Sequence, residues 1–227
     1  MLKNISLIIL LFLTIEGGLH AQKMEAFGGV NQNSFYSRPS NSSSPSMEAS
    51  YSSGNGFGVY MALDSLRYAF MVYRFTLGFE QYQGGYDGYS KGKVGGISQS
   101  GYVKKSKIMV GIYPGNFRLA HFDINLGVEL GFLVNEKTTQ QKDWWGVVDG
   151  RYDSNSEYYD NVSGFNKKVT ADLKIRVAYD MYIAENLAIS PMISANYGMS
   201  PEFNDFLVNT KSFRMFYGIG IERTLSK

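Results

Sequence analysis

The chain has 227 residues and nearly balanced charge, with 22 Lys and Arg against 20 Asp and Glu. A net charge of +2 gives no indication of a nucleic-acid partner. The absence of Cys excludes a disulfide scaffold, a thiolate metal site, a Cys nucleophile and a lipid anchor on Cys. With 25 Gly, 17 Tyr and 15 Phe, the composition favours strands over helices.

The first 21 residues have the pattern of a secretory signal peptide. Lys3 supplies positive charge, residues 5–15 form a short apolar run, and Leu19, His20 and Ala21 suit a signal peptidase. The run is shorter than the roughly 20 residues that a membrane-spanning helix needs. We therefore expect cleavage after Ala21 and export, leaving a single domain at 22–227.

The mature chain alternates apolar and polar residues over several long segments. The clearest is HFDINLGVELGFLV at 121–134, where one face is apolar and the other carries Asp123 and Glu129. A period of two indicates a β-strand whose faces meet different environments. Eight strands are predicted, at 23–36, 50–63, 69–82, 99–114, 121–134, 169–184, 187–199 and 212–225.

The predicted connections alternate between short and long. Tight turns are expected at 64–65, 114–117 and 185–186. Long polar loops are expected at 37–49, 83–98, 136–164 and 200–210. Short turns at one end and long loops at the other predict an all-β fold, an eight-stranded antiparallel up-and-down transmembrane β-barrel.

A soluble lipocalin-like barrel is the main alternative fold, with its apolar face inward around a ligand. Glycines, including Gly78, Gly127 and Gly220, fall on the charged face, where a narrow bore has least room. Bulky apolar residues fill the other face, which suits lipid. Aromatic residues near the strand ends are expected to form interfacial girdles; they are Tyr82, Tyr102, Tyr113, Phe117, Tyr182 and Tyr197.

Certain segments resemble a known family. They are the HAQ that ends the signal, FGGVN at 27–31, NYGMSPEFN at 196–204 and FYGIGIERTL at 216–225. With these features the chain resembles the small outer-membrane β-barrels of the Bacteroidota type, which include porin-like and PorT-like proteins. The resemblance implies a barrel in the bacterial outer membrane and names no activity. Leu225, Ser226 and Lys227 depart from the aromatic residue expected at the end of such a barrel.

The charged faces of the strands predict an ion-pair network inside the barrel, filling the bore. Its predicted members are Arg74, Glu80, Asp123, Glu129, Asp172, Lys174, Arg176, Asp180, Arg214 and Glu222. Glu25 and Lys107 belong to the same charged set. A structural core is the favoured interpretation, and a path for protons or ions is the alternative.

The sequence offers little for catalysis or cofactors. His121 is the one mature histidine, and we expect it on the periplasmic side, away from the outer rim where enzymatic barrels work. Asp153, Asn155 and Glu157 resemble part of a calcium loop, but Tyr158 replaces the required Gly. We therefore predict no catalytic, metal or cofactor site.

The loop predicted at 136–164 carries exposed aromatic residues beside acids, a pattern that fits a contact surface and a loop packed on its own side chains equally well. Its candidate contact residues are Trp144, Trp145, Tyr152, Tyr158 and Tyr159. The favoured function is a non-enzymatic outer-membrane barrel with a structural or surface-binding role, contacting outer-membrane lipid and an envelope or surface protein. The alternatives are a narrow channel for small solutes, a soluble periplasmic carrier and a lipid-modifying enzyme.

Overall fold

The structure is a computed structural model. It describes residues 23–37, 48–68, 71–91, 95–148, 151–160, 162, 164, 166–204 and 210–225. The predicted signal peptide at 1–21 lies outside the described residues. Among the described residues, none belongs to a helix long and apolar enough to cross a membrane.

The described regular structure consists of eleven strands. They are β1 (Lys23–Ser37), β2 (Glu48–Ser52), β3 (Gly54–Tyr68), β4 (Met71–Lys91), β5 (Gly95–Leu119), β6 (Phe122–Val148), β7 (Arg151–Asp160), β8 (Val169–Tyr179), β9 (Met181–Ala184), β10 (Leu187–Gly198) and β11 (Thr210–Thr224).

Eight of these strands close into a ring. Antiparallel pairs join β1 to β3, β3 to β4, β4 to β5, β5 to β6, β6 to β8, β8 to β10, β10 to β11, and β11 back to β1. The three other strands extend single neighbours, since β2 pairs with β4, β7 with β6 and β9 with β10. The prediction of an eight-stranded antiparallel up-and-down barrel is confirmed.

On the ring strands, most outward side chains in the middle of the barrel are apolar, whereas the inward side chains include the buried charged residues. Val128 and Leu130 are 36% and 41% exposed, whereas Glu129 between them is fully buried. A transmembrane barrel requires this orientation of its side chains. A soluble carrier would have the reverse orientation, with its apolar side chains inward. We call the outward apolar set the belt. It includes Val59, Leu77, Ile108, Val110, Ile112, Leu126, Val128, Leu130, Phe132, Leu173, Ile175, Ile193, Tyr217, Ile219 and Ile221.

Glycine makes room inside the ring, as its position on the charged face predicts. A Cβ at Gly78 would lie 2.2 Å from the ring of Tyr60. A Cβ at Gly220 would lie 2.4 Å from Oε1 of Glu25. Side chains at these positions would displace groups that fill the bore, so the bore is narrow.

Two of the three predicted turns are wrong. Strand β3 continues through 64–65 to Tyr68, with a register shift between Asp64 and Leu66. Strand β5 continues through 114–117, where one extra residue forms a bulge between Ile112 and Gly115. A bulge accommodates Pro because no ladder hydrogen bond is needed there. The chain reverses instead at 120–121, whereas the turn at 185–186 is where the sequence predicts it.

The long loops predicted at 83–98 and 136–164 are largely strand. The ladder between β4 and β5 runs to Lys91 and Gly96, and the ladder between β5 and β6 runs to Gly95 and Gly146. Strand β7 then pairs with β6 over ten residues. Of the other two predicted loops, residues 38–47 and 205–209 lie outside the described residues.

These ladders form a sheet that extends beyond the ring. We call it the protruding sheet; it comprises β2, β7, residues 82–91 of β4, residues 95–105 of β5 and residues 136–148 of β6. Its outward face continues the outer surface of the barrel, and its inward face continues the bore. The end of the barrel that carries it is the hairpin end, and the opposite end is the turn end.

Candidate functional site: a filled bore and a protruding sheet

Buried ion pairs close the bore at the turn end. Arg74 pairs with Glu25, and its Nη1 lies 3.3 Å from Oδ2 of Asp123 and 3.4 Å from Oδ1 of Asp64. Arg176 reaches the same Glu25 and Asp123, at 2.5 and 3.3 Å. Two guanidinium groups thus share two carboxylates, which satisfies charges that burial would otherwise make costly.

A second group of ion pairs lies at the rim of the turn end. Arg118 contacts Asp180 at 2.5 Å and Glu222 at 3.3 Å, and Lys23 contacts Glu222 at 2.5 Å. The bulge beside Pro114 shifts the inward face of β5, so that Arg118 lies level with Asp123. The side chain of Arg118 is 38% exposed, so this group forms the boundary between the bore and water.

The centre of the bore combines charge with aromatic packing. Glu129 accepts hydrogen bonds from Lys174 at 2.9 Å, Tyr113 at 2.5 Å and Asn196 at 3.2 Å. Arg214 bridges Asp172 and Glu80, at 2.7 and 3.1 Å. Beside these pairs lies an apolar cluster that the sequence did not predict; it contains Phe27, Tyr60, Ala62, Met109, Ala178, Met192 and Phe216.

The ten residues predicted for the network are all buried, and each makes at least one ion pair there. Two of the predicted girdle residues are placed differently. Tyr82 and Tyr113 are buried in the bore, whereas Tyr102 and Phe117 are exposed on the outside. Tyr82 and Tyr113 lie on the inward face of their strands, where alternation rather than nearness to a strand end decides facing.

Glu202 closes the bore at the hairpin end. It lies between β10 and β11, outside the spanning strands, and its carboxylate meets Lys105 at 2.9 Å and Lys107 at 3.0 Å. Ser212 donates a hydrogen bond to it at 2.6 Å, and Tyr82 donates another at 3.1 Å. Burial opposes its ionisation, but the nearby Lys105, Lys107 and Arg214 hold the pKa of Glu202 well below its usual value.

An aromatic cluster covers the same end. Phe35, Tyr82, Tyr86, Val103 and Phe203 pack together, and Nζ of Lys105 lies 4.1 Å from the centroid of Phe203. The predicted network omits Glu202, because a residue in a loop has no alternation to place it. It also omits Lys105, although Lys105 shares the parity of Lys107 and could have been found by the period of two.

The protruding sheet separates the five predicted contact residues between its faces. Trp145, Tyr152 and Tyr158 lie on the outward face, whereas Trp144 and Tyr159 lie on the inward face. Tyr152 and Tyr158 are 72% and 69% exposed. All ten residues of β7 are exposed, and within the described residues its far edge pairs with no strand.

The remaining polar candidates form no reactive group. His121 is exposed in the turn between β5 and β6, with its ring near Tyr179 and Tyr182, while Asp123 is buried with the arginines. Asp153, Asn155 and Glu157 lie on strand β7 rather than in a loop. Among the described residues, no group of three or more His, Asp or Glu side chains is arranged to hold a metal ion.

Comparisons with known proteins give only remote likenesses. No family model matches the chain, and no curated protein matches it. Ail, the attachment invasion locus protein of Yersinia pestis, is 12% identical, with a TM-score of 0.42 over 89% of this chain and 99% of that chain. The outer membrane protein OprG of Pseudomonas aeruginosa is 15% identical, with a TM-score of 0.39 over 92% of this chain and 99% of that chain. At this similarity their functions do not transfer to the chain.

Proposed function

We propose that the protein is a non-enzymatic outer-membrane β-barrel of the small Bacteroidota type, exported by a cleaved signal peptide. Its ion-pair network stabilises a filled bore, and its protruding sheet binds a partner at the cell surface. The observation that carries the proposal is the contrast between a bore crowded with paired charges and a sheet whose outer strand is exposed throughout. A binding role best explains why the chain forms a large exposed sheet beyond the barrel.

A channel is disfavoured by the contents of the bore. Paired charges occupy the turn end and the centre, and Glu202 with its two lysines occupies the hairpin end. Planar-bilayer recording of the purified protein is expected to show no stable conductance. Single-channel steps that change in Arg176→Ala would show instead that the bore conducts.

A lipid-modifying enzyme is disfavoured by the position of His121, which is exposed at the turn end with two tyrosines beside it. His121→Ala is expected to leave membrane lipid composition unchanged. Altered lipid composition in a folded His121→Ala variant would contradict the non-enzymatic assignment.

Site-specific photo-crosslinking in living cells tests the surface-binding role. A photoreactive residue at Tyr158 samples the outward face of the sheet, while the same residue at Val128 samples the belt as a matched control. Discrete adducts to a protein or glycan are expected from position 158 and not from 128. The absence of any such adduct at 158 in protein that is folded and surface-exposed would overturn the proposal.

A further inference from the structure

A shallow pocket of about 450 Å³ opens on the outward face of the protruding sheet, where β2, β4 and β5 lie side by side. The residues that line it are Ser50, Asp87, Gly88, Tyr89, Ser98, Gln99 and Ser100. They form adjacent cross-strand rows, since Asp87 faces Ser50 and Ser100, and Tyr89 faces Ser98. The pocket is therefore built from paired strands and not from loops.

An aromatic pair forms one side of this pocket. The rings of Tyr89 and Trp145 are stacked, with centroids 5.6 Å apart and planes inclined by 25°. Trp145 pairs with Gly96 on the intervening strand β5. Because Gly96 has no side chain, the indole of Trp145 has room to reach Tyr89. Tyr89 remains 38% exposed. The pair thus presents a rigid apolar surface beside the polar pocket.

The other sides of the pocket supply hydrogen-bonding groups. Ser98 donates to Asp143 at 3.4 Å, and Gln141 donates to the same carboxylate at 3.2 Å. Hydrogen bonds from Ser156 and Gln141 lower the pKa of Asp143, which is the carboxylate beside the lining residue Ser98. The side chains of Asp87, Ser50 and Ser100 make no hydrogen bond or ion pair to a described residue, which leaves them available to a ligand.

These features together select the chemistry of a ligand. Among the described residues that line the pocket, Asp87 is the one charged side chain, so an anion is disfavoured. Beside the pocket, β4 pairs with β2 and β5, and β5 pairs with β4 and β6, so a peptide cannot add as a strand to either β4 or β5. A sugar ring offers an apolar C–H face for an aromatic ring and hydroxyls for carboxylates and serines.

We propose that the pocket beside Tyr89 and Trp145 binds a neutral or amino-sugar glycan at the cell surface. The proposal rests on the surface-binding role argued above and names its ligand class. Ser98 lies ten residues along β5 from Ile108 in the belt, a strand distance of roughly 33 Å at about 3.3 Å per residue. Because barrel strands are tilted by roughly 35–45°, this span rises about 23–27 Å along the barrel axis. That rise places the pocket outside the belt, on the part of the protein proposed to face the cell surface.

Calorimetric titration of the full-length folded protein in detergent tests this assignment. The probes are maltotetraose, mannotetraose and chitotetraose, with a heparin tetrasaccharide as the anionic comparison. We expect at least one of the first three to bind, and Tyr89→Ala to weaken it by about tenfold, as loss of a stacked ring implies. Asp87→Asn is expected to weaken it less. Tyr102→Ala is the control, because Tyr102 is exposed on the same face but outside the pocket.

Each other outcome contradicts the glycan site. Binding of none of the three neutral or amino-sugar probes, binding of heparin alone, or an equal loss in Tyr102→Ala would overturn it, given heat-modifiable gel mobility that shows each variant to be folded. The photo-crosslinking experiment tests the surface-binding role independently of the glycan titration. If the photoreactive residue at 158 crosslinks a polypeptide while no glycan binds, the surface role stands and the glycan assignment falls.

Discussion

Strands β4, β5 and β6 run through both the belt and the protruding sheet, yet the side chains that they turn outward differ between the two regions. In the belt, β6 turns Val128 and Leu130 outward and Glu129 inward. In the sheet, the outward face of the same strand carries Gln141 and Asp143. The environment that a strand face meets, lipid or water, therefore constrains its side chains more strongly than β-propensity does.

A single bulge marks the boundary between these two regions. Lys107 pairs with Leu133 and Ser106 pairs with Asn135, so Val134 is an extra residue in β6. Before Val134 in the sequence, the even-numbered residues of β6 face outward. After Val134, the odd-numbered residues face outward. The bulge thus separates lipid-facing from water-facing sequence, and its change of parity places Trp145 rather than Trp144 on the outward face.

The largest effect is expected from Glu129 in the bore. Glu129→Leu removes the acceptor shared by Lys174, Tyr113 and Asn196, and it leaves a buried ammonium without its carboxylate. Breaking a buried pair in this way costs about 3–5 kcal/mol. Glu129→Gln keeps an acceptor of similar shape and is expected to cost about 1–3 kcal/mol. Urea unfolding in lipid vesicles measures both costs. Equal costs in the two variants would show that the amide acceptor of Glu129→Gln does not compensate for the lost carboxylate, which would contradict this prediction.

The next largest effect contrasts lipid with water on one strand. Val128→Arg places a guanidinium in the belt, which costs about 2–4 kcal/mol near mid-membrane and impairs insertion. Gln141→Arg is the matched control, because residue 141 also faces outward but lies above Val134. It is expected to leave unfolding free energy and insertion unchanged. Similar losses in the two variants would contradict a boundary between lipid and water.

A smaller effect, dependent on pH, is expected from Glu202. The pKa of Glu202 is depressed in the folded state, so its stabilising contribution is present above its usual value of 4.5 and is lost as pH falls through the folded pKa. Glu202→Gln is expected to cost about 1.5–3 kcal/mol at pH 7, because hydrogen bonds to charged groups are lost. The difference from wild type should shrink below pH 4.5. A difference that stays constant with pH would show that the carboxylate's charge contributes nothing.

The sequence predicts the barrel well where its two faces meet different environments. Alternation around Glu129 identifies both the strand and its facing, because lipid and a charged bore select different residues. Alternation gives no such prediction in the protruding sheet, because water reaches both faces of β7 and no alternation of apolar and polar residues is required there. It also fails at Arg118, where a bulge changes parity, and at Glu202, whose place depends on how a loop folds back over the bore.

The smallest perturbation, and the sharpest test of the boundary, is a scan of single labels along β6. We expect labels at the even-numbered positions 126–132 to be quenched from the lipid phase, because these side chains form the belt. Above Val134, an aqueous quencher should reach labels at 137 and 141 more readily than labels at 138 and 140, since Thr138 and Gln140 face inward and are buried. A strand without the bulge would keep even-numbered residues outward throughout. Greater aqueous access at 138 and 140 than at 137 and 141 would therefore place the sheet in a different register, and it would separate Trp145 from the outward face on which the glycan site depends.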